Sequence, residues 1–215
     1  MSKFTIVANG EIFSPSIALP FDEKIIAADG GARHCLALGL SPQIVIGDFD
    51  SLSDAEVDQL QANGAKFIRH PADKDETDLE LALDQALKLG ATEVTLYGLL
   101  GGRWDMSIAN LLLLAAPRFA GIRFHLRAGD TEAFILRGGQ TLELRGQPGT
   151  TVSVIPLSAK VSGLSYDGLQ WPLEEANLPF GSPRGVSNLL IQENATIRVA
   201  KGVLLVFLIK KLEVL

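Results

Sequence analysis

The sequence predicts an α/β domain with a mostly parallel sheet over residues 1-130, followed by an all-β sandwich over residues 131-215. Three observations carry this. Short apolar runs alternate with segments of helical periodicity through residue 126. The rhythm then changes to short strands separated by turns. Acidic residues recur wherever a predicted strand of the first part ends.

Thr5 to Ala8 and Lys24 to Ala28 read as the first two strands. The second runs into Asp29-Gly30-Gly31, where glycines let the backbone approach a ligand and a helix can start at Ala32. Ile44-Val45-Ile46 is a buried strand that delivers Gly47-Asp48-Phe49-Asp50-Ser51-Leu52. Extended alternation puts Asp48 and Asp50 on one side and Phe49 on the other. Paired carboxylates repel each other, and a hard divalent cation relieves that repulsion through oxygen ligands. The structural alternative is an Asx-turn, with Asp50 or Ser51 capping the next helix.

Ser53-Asp54-Ala55-Glu56 has the form of a capping box and opens a helix to about Asn63, stopped by Gly64. Lys66 to Arg69 is the next strand. It leads into the acid-rich run Asp73-Lys74-Asp75-Glu76-Thr77-Asp78. Thr77 and Glu80 form a second capping-box pattern, and Leu79, Leu83, Ala86 and Leu87 mark the buried stripe of a helix ending at Gly90. Acids at a helix start favour the dipole, which accounts for Glu76. Asp75 and Asp78 share the strand-exit position of the earlier acids.

Glu93 to Tyr97 is a further strand, followed by Gly101-Gly102-Arg103-Trp104-Asp105, a guanidinium and a carboxylate suited to phosphate contact and metal or hydroxyl positioning. A helix from about Met106 to Ala116 stops at Pro117. Asn110 is near enough to its start to face the same cleft, and is otherwise a surface amide. Arg123 to Leu126 closes the alternation. In such Rossmann-like sheets ligands bind beyond the carboxyl ends of the strands. Asp29, Asp48, Asp50, Asp75, Asp78 and Asp105 therefore gather on one edge, a pattern expected of a metal-polyphosphate site.

From Thr131 the strands Glu132 to Leu136, Gln140 to Leu144, Thr151 to Ile155, Thr196 to Ala200 and Val203 to Ile209 are joined by glycine-containing turns. Between them lies a loop-rich section with Trp171, Phe180 and Gly185-Val186-Ser187-Asn188. Trp171 is by default a core residue, but its indole face also suits a flat cationic heterocycle.

Composition sets bounds. The 215 residues carry a formal net charge of -6 and 47% hydrophobic residues, as in an ordinary globular protein without a basic stripe for nucleic acid. The single cysteine, Cys35, excludes an intramolecular disulfide. No apolar run reaches the length of a membrane span, and no signal-peptide pattern opens the chain, so a cytoplasmic protein without membrane or nucleic-acid partners is expected. There is no Gly-x-x-x-x-Gly-Lys-Ser/Thr motif, which disfavours a P-loop kinase.

The ordered series Asp29-Gly30-Gly31, Gly47-Asp48-Phe49-Asp50-Ser51, Asp73-Lys74-Asp75-Glu76-Thr77-Asp78, Gly101-Gly102-Arg103-Trp104-Asp105, Gly168-Leu169-Gln170-Trp171-Pro172-Leu173 and Ser187-Asn188 resembles the thiamin pyrophosphokinases over nearly the whole chain. The resemblance implies a homodimer that transfers pyrophosphate from ATP to thiamin with Mg2+, giving thiamin diphosphate and AMP, with residues 1-130 as the ATP- and Mg2+-binding catalytic domain, residues 131-215 as the thiamin-binding and dimerisation domain, and a cleft between the α/β domain of one chain and the β domain of the other. Carried over by motif, Asp48, Asp50 and Asp75 are metal positions. Asp75, Arg103 and Asp105 are catalytic positions, and Asp75 or Asp105 is the candidate to accept the hydroxyl proton. Asp29, Gly30, Asp48, Asp50, Ser51, Thr77, Asp78 and Asn110 are ATP positions. Trp171, Ser187 and Asn188 are thiamin positions. The chain departs from the family pattern at Met106, where His is frequent, and at Arg33, where Asn is frequent. The competing readings are another Mg2+-dependent phosphoryl or nucleotidyl transferase and a non-catalytic thiamin or nucleotide sensor, against which the intact carboxylates argue.

Overall fold

The computed structural model describes residues 2–13 and 23–210. The outer limits of the expected domains, at positions 1 and 215, lie outside the described residues. The chain divides into two compact units, Met1–Gly129 and Asp130–Leu215.

Among the described residues the first unit has six strands, β1 (Ser2–Val7), β2 (Lys24–Ala28), β3 (Ile44–Gly47), β4 (Lys66–Arg69), β5 (Ala91–Tyr97) and β6 (Arg123–Ala128). They pair side by side in the order β6-β5-β1-β2-β3-β4, every pair parallel. Helices α1 (Gly31–Ala37), α2 (Asp54–Ala62), α3 (Asp78–Lys88) and α4 (Trp104–Leu113) connect them, with a short 3-10 turn at Pro117–Phe119. The order steps outward from β1 through β2 to β4, then returns to the other side of β1 for β5. That reversal is a topological switch point, the place at the carboxyl edge of such a sheet where a ligand-binding crevice forms.

Strand alternation divides the core. Val7, Ile25, Ala27 and Val45 pack with Ala32, Cys35 and Leu60, and so bury the inner faces of α1 and α2. Helix α3 lies against β2 and β3 and buries Leu79, Ala82, Leu83 and Ala86. Burial pushes the Cys35 thiol up to about 12, so it is an inert filler. Helix α2 opens with the expected capping box: the Ser53 side chain accepts from the Glu56 N–H, and Glu56 returns the bond to the Ser53 N–H. On α3 only half of the expected box forms. Thr77 Oγ1 accepts from the Glu80 N–H at 3.2 Å, but the Glu80 carboxylate turns outward to Arg118. Helix α4 starts at Trp104 rather than Met106, so Asp105 falls in its first turn.

The second unit is a two-sheet sandwich. One sheet runs β12 (Asn188–Leu189), β9 (Thr151–Pro156), β14 (Val203–Ile209), β7 (Thr131–Arg137), antiparallel throughout. The other runs β11 (Ala176–Pro179), β10 (Lys160–Asp167), β13 (Asn194–Arg198), β8 (Thr141–Arg145). Inward residues of both sheets, including Val152, Val154, Val206, Leu144, Leu164 and Ile197, form one core. Strands β10, β11 and β12 are additions to the expected set. Gly163, at φ 64, breaks the register of β10 against β11 between Val161 and Leu164, and a glycine in mid-strand reads from sequence as a turn. Strand β11 ends in Pro179 and lies at the sheet edge, where a missing N–H donor is tolerated.

The Arg33 guanidinium and the cap bonds hold the Glu56 carboxyl well below its ordinary 4.5, at about 2. A depressed carboxyl contributes stability that is present above pH 4.5 and lost as pH falls towards 2. Glu56→Gln is therefore expected to lower the thermal midpoint above pH 4.5, with the difference from wild type closing between pH 4.5 and about 2. The pair lies at the surface, with Arg33 exposed and Glu56 partly so, which makes the effect modest and salt-dependent. Thermal unfolding followed by circular dichroism across that range checks it.

Candidate active site

At the switch point lies a cleft of about 790 Å³. Its walls come from the loop after β1 (Asn9, Gly10, Glu11, Ile12), the turn after β2 (Asp29, Gly30), the loop after β5 (Gly98 to Arg103), and the starts of α3 and α4 (Thr77, Asp78, Met106, Asn110). The β1 and β5 loops are laced together. The Gly10 and Glu11 N–H groups donate to Gly98 and Leu100 carbonyls at 2.7 Å each, and the Glu11 carboxylate accepts from the Gly102 N–H at 3.0 Å. Asn110 is buried rather than a surface amide, and its Nδ2 donates to Leu99 O at 3.0 Å. His34 Nε2 donates to Gly10 O at 2.8 Å, fixing the opposite wall.

Asp29, Asp48 and Asp50 converge at the edge of this cleft: each offers a carboxylate oxygen, and these oxygens lie within 4.8 Å of one another. The local backbone is built for this. Asp29 and Phe49 hold positive φ values of 43 and 68, uncommon for non-glycine residues and found where surrounding structure over-determines the conformation. Phe49 is buried, edge-on to Phe67 at 5.0 Å, with the Arg69 guanidinium 4.7 Å from its ring centre. Arg69 also donates to Asp48 O at 2.6 Å. Phe49 thus anchors the turn inward while its two neighbours face out. Gly47, at φ 151, brings the turn close to two acids: a Cβ there would sit 3.0 Å from Asp29 Cβ and 3.1 Å from Asp78 Oδ1.

The Asx-turn forms as well, for Asp48 Oδ1 accepts from the Asp50 N–H at 3.1 Å. The turn is compatible with the cation reading because it uses one oxygen of one carboxylate, but the cap expected at Asp50 or Ser51 falls instead to Ser53. Ser51 donates its hydroxyl to Asp29 Oδ2, and its backbone carbonyl accepts from Arg33. Asp29 is only 6% exposed, and its Oδ1 is buried without a hydrogen-bond partner. An unsatisfied buried carboxylate oxygen is costly in isolation. Beside two further carboxylates, it fits a hard divalent cation that takes oxygen ligands.

The remaining acids differ. Asp78 borders the cleft, and burial pushes its carboxyl above the usual range, with Asp29 and Asp48 adding to the rise and Lys74 opposing it. Asp75 is exposed and lies outside the three-carboxylate group. Asp105 is exposed on α4, where Arg103 holds it at 2.5 Å and keeps its carboxyl below the usual range. The edge is therefore narrower than six converging acids: three carboxylates, flanked by Asp78. Arg69, Lys74, Asn9, Glu11 and His34 were not singled out from sequence. Asn9-Gly10, a turn dipeptide directly after a strand, was the available signal for the β1 loop.

In the second unit Asn188 is buried and binds the backbone of Trp171 from both sides, accepting from its N–H at 3.0 Å and donating to its carbonyl at 2.7 Å. Trp171 itself is 55% exposed, so it is not a core residue. Ser187 is exposed at φ 62, with its N–H donating to Ser153 Oγ at 3.0 Å.

A cleft at the switch point of a parallel sheet, edged with carboxylates and followed in the chain by an antiparallel sandwich, has the make-up of a group-transfer enzyme site, and the comparisons with known proteins give its class. Residues 20–126 match the family described as thiamin pyrophosphokinase, catalytic domain, and residues 140–204 match thiamin pyrophosphokinase, vitamin B1 binding domain. Thiamine pyrophosphokinase of Bacillus subtilis (strain 168) is 30% identical over 208 residues, covering 95% of this chain and 97% of its own. The crystal structure of the Bacillus subtilis enzyme superposes with a TM-score of 0.86 at 28% identity, covering 98% of this chain and all of that one. A thiamin pyrophosphokinase family protein from Enterococcus faecalis gives 0.85 at 28% identity over 98% of this chain. The chain belongs to the thiamin pyrophosphokinase family.

Proposed function

We propose that the chain transfers the terminal pyrophosphoryl group of ATP to the primary hydroxyl of thiamin, giving thiamin diphosphate and AMP, with ATP held in the switch-point cleft. The observation that carries the site assignment is the convergence of Asp29, Asp48 and Asp50 around an unpartnered buried oxygen. The thiamin oxygen forms a bond to the β-phosphorus, the bond from that phosphorus to the α,β-bridging oxygen breaks, and AMP leaves. Such transfers depend chiefly on alignment and charge neutralisation. Asp29, Asp48 and Asp50 would hold Mg2+, which when bound supplies positive charge beside the polyphosphate. Arg103, at the mouth of the cleft, meets phosphate oxygens, while Thr77, Gly30 and Asn110 line the pocket around the nucleotide and Ser51 acts through its hydroxyl on Asp29. Between the two candidate bases, the Arg103 contact makes Asp105 the weaker, which favours Asp75 as acceptor of the hydroxyl proton. Trp171, held by Asn188, offers its face to the thiazolium, with Ser187 beside it in sequence.

Incubation with ATP, Mg2+ and thiamin is expected to release AMP and thiamin diphosphate; ADP as the product would exclude pyrophosphoryl transfer. Asp48→Asn and Asp50→Asn are each expected to lower turnover by roughly 100-fold or more while leaving the thermal midpoint near wild type, consistent with losing an electrostatic stabiliser. Near-normal rates in both at limiting Mg2+ would contradict the assignment.

The indole face of Trp171 is expected to contribute about 0.5–2 kcal/mol to holding the thiazolium. Trp171→Ala should therefore raise the KM for thiamin roughly twofold to thirtyfold and leave the KM for ATP close to wild type.

We also propose a homodimer. Helix α4 presents Trp104, Ile108 and Leu112, 80%, 55% and 47% exposed, at four-residue spacing, an apolar stripe of the kind covered by a second copy. Sedimentation equilibrium should give twice the chain mass for wild type and the single-chain mass for Ile108→Glu.

A further inference from the structure

Lys74 lies inside the acidic edge. Its side chain keeps only 11% of its exposure, and its ammonium is 3.0 Å from Asp78 Oδ1 and 3.9 Å from Asp48 Oδ2. A surface lysine normally runs its stem over apolar neighbours and leaves the charge in water. Here the charge is drawn inward between carboxylates, one of which, Asp48, belongs to the three-acid group. The two acids it touches line different clefts. Asp78 borders the 790 Å³ cleft, whereas Asp48, with Asp50, Arg69 and His70, borders a second one of about 580 Å³. The ammonium therefore bridges the walls of both clefts, beside the place where a divalent cation would sit.

A fixed positive charge in that place acts in two directions. Against a bare divalent cation it competes for the negative charge of the same carboxylates. Once a polyphosphate brings further negative charge, it stabilises the loaded site. Resting on the reading of Asp29, Asp48 and Asp50 as a cation site, we propose that Lys74 is a positioning residue that makes metal binding depend on polyphosphate: it holds Asp48 and Asp78 in place, weakens the hold on metal alone, and strengthens it when a polyphosphate is present. Such coupling is reciprocal, so metal raises the affinity for polyphosphate by the same factor.

The test is Mn2+ binding to the full chain, followed by electron paramagnetic resonance, with and without inorganic pyrophosphate. Removing a unit charge about 4 Å from the ligands is expected to make Lys74→Met bind Mn2+ alone about tenfold more tightly than wild type. The enhancement of Mn2+ affinity by pyrophosphate should shrink by more than that factor, so that with pyrophosphate present Lys74→Met binds Mn2+ more weakly than wild type. Lys74→Arg, which keeps the charge, should keep the weak binding of Mn2+ alone. A merely structural role would lower both affinities in Lys74→Met, and that result, or no change in either, overturns the proposal. If Lys74→Met does not fold, Lys74→Gln replaces it with the same expectations; if neither neutral variant folds while Lys74→Arg does, the charge serves the fold and the proposal falls. Failure of the underlying cation reading looks different: wild type would bind no Mn2+ with or without pyrophosphate, or Asp48→Asn would bind it as wild type does.

Discussion

The site depends on holding three carboxylates within 4.8 Å of one another against their mutual repulsion. Nothing about a carboxylate favours that arrangement, so the work falls to the backbone and to neighbouring side chains that brace the two turns. The turn after β3 is pinned by burying Phe49 against Phe67 and beneath Arg69, and the turn after β2 by the Ser51 hydroxyl on Asp29. Both turns contain a left-handed non-glycine residue. Such conformations cost of order 1–3 kcal/mol each and persist where packing leaves no alternative. The parallel register of β2 against β3, Ala28 opposite Ile46, sets the two strand ends side by side, so the acids meet without either loop having to reach.

That placement makes the switch point useful. A parallel sheet of order β6-β5-β1-β2-β3-β4 opens its crevice between β1 and β5, and the acids arrive from β2 and β3, one and two strands away. The cleft and the carboxylates at its edge are therefore adjacent and share Asp29. The β1 and β5 loops are joined through backbone hydrogen bonds, while the β2 turn both lines the cleft and, with the β3 turn, supplies the charge. The departures at Met106 and Arg33 fall among residues lining the cleft, and Arg33 also reaches the carboxylate side, where it donates to the Ser51 carbonyl.

Much of this was legible in the sequence because parallel-sheet strands are short apolar runs with abrupt ends. The strands Lys24–Ala28, Lys66–Arg69 and Val203–Ile209 lie where their apolar pattern puts them. The gathering of Asp29 with Asp48 and Asp50 followed from strand exits alone. What escaped has physical causes. Strand β10 carries a left-handed glycine that reads as a turn, and β12 is two residues long and defined by pairing with β9. The exclusion of Asp105 from the converging group could not be read, because α4 begins two residues earlier than its pattern indicates and takes Asp105 into its exposed first turn; Asp75 precedes a helix that starts at its expected Thr77 cap, and its exposure follows from the path of the loop, which no periodicity encodes. Lys74 was hidden for a different reason: one cation in an acidic run reads as solvated charge balance, and only the fold shows it folded inward.

The two units reach a similar end by different means. In the first, strained turns project charged groups and packing beneath them resists the strain. In the second, an aromatic surface is held by a side chain that imitates backbone: Asn188 offers an acceptor and a donor to Trp171 as a neighbouring strand would, and does so from β12, which has too few residues to hold the loop by pairing alone. Because Asn188 is buried, an apolar replacement would leave the Trp171 N–H and carbonyl without those bonds, whereas Trp171 itself contributes little to the core. The chemistry of the platform thus rests in the exposed indole and its geometry in the buried amide. The same division holds in the first unit between exposed Asp50 and buried Phe49. In both places an exposed side chain is set by a buried neighbour, so the fold can hold such groups out towards solvent without leaving them loose.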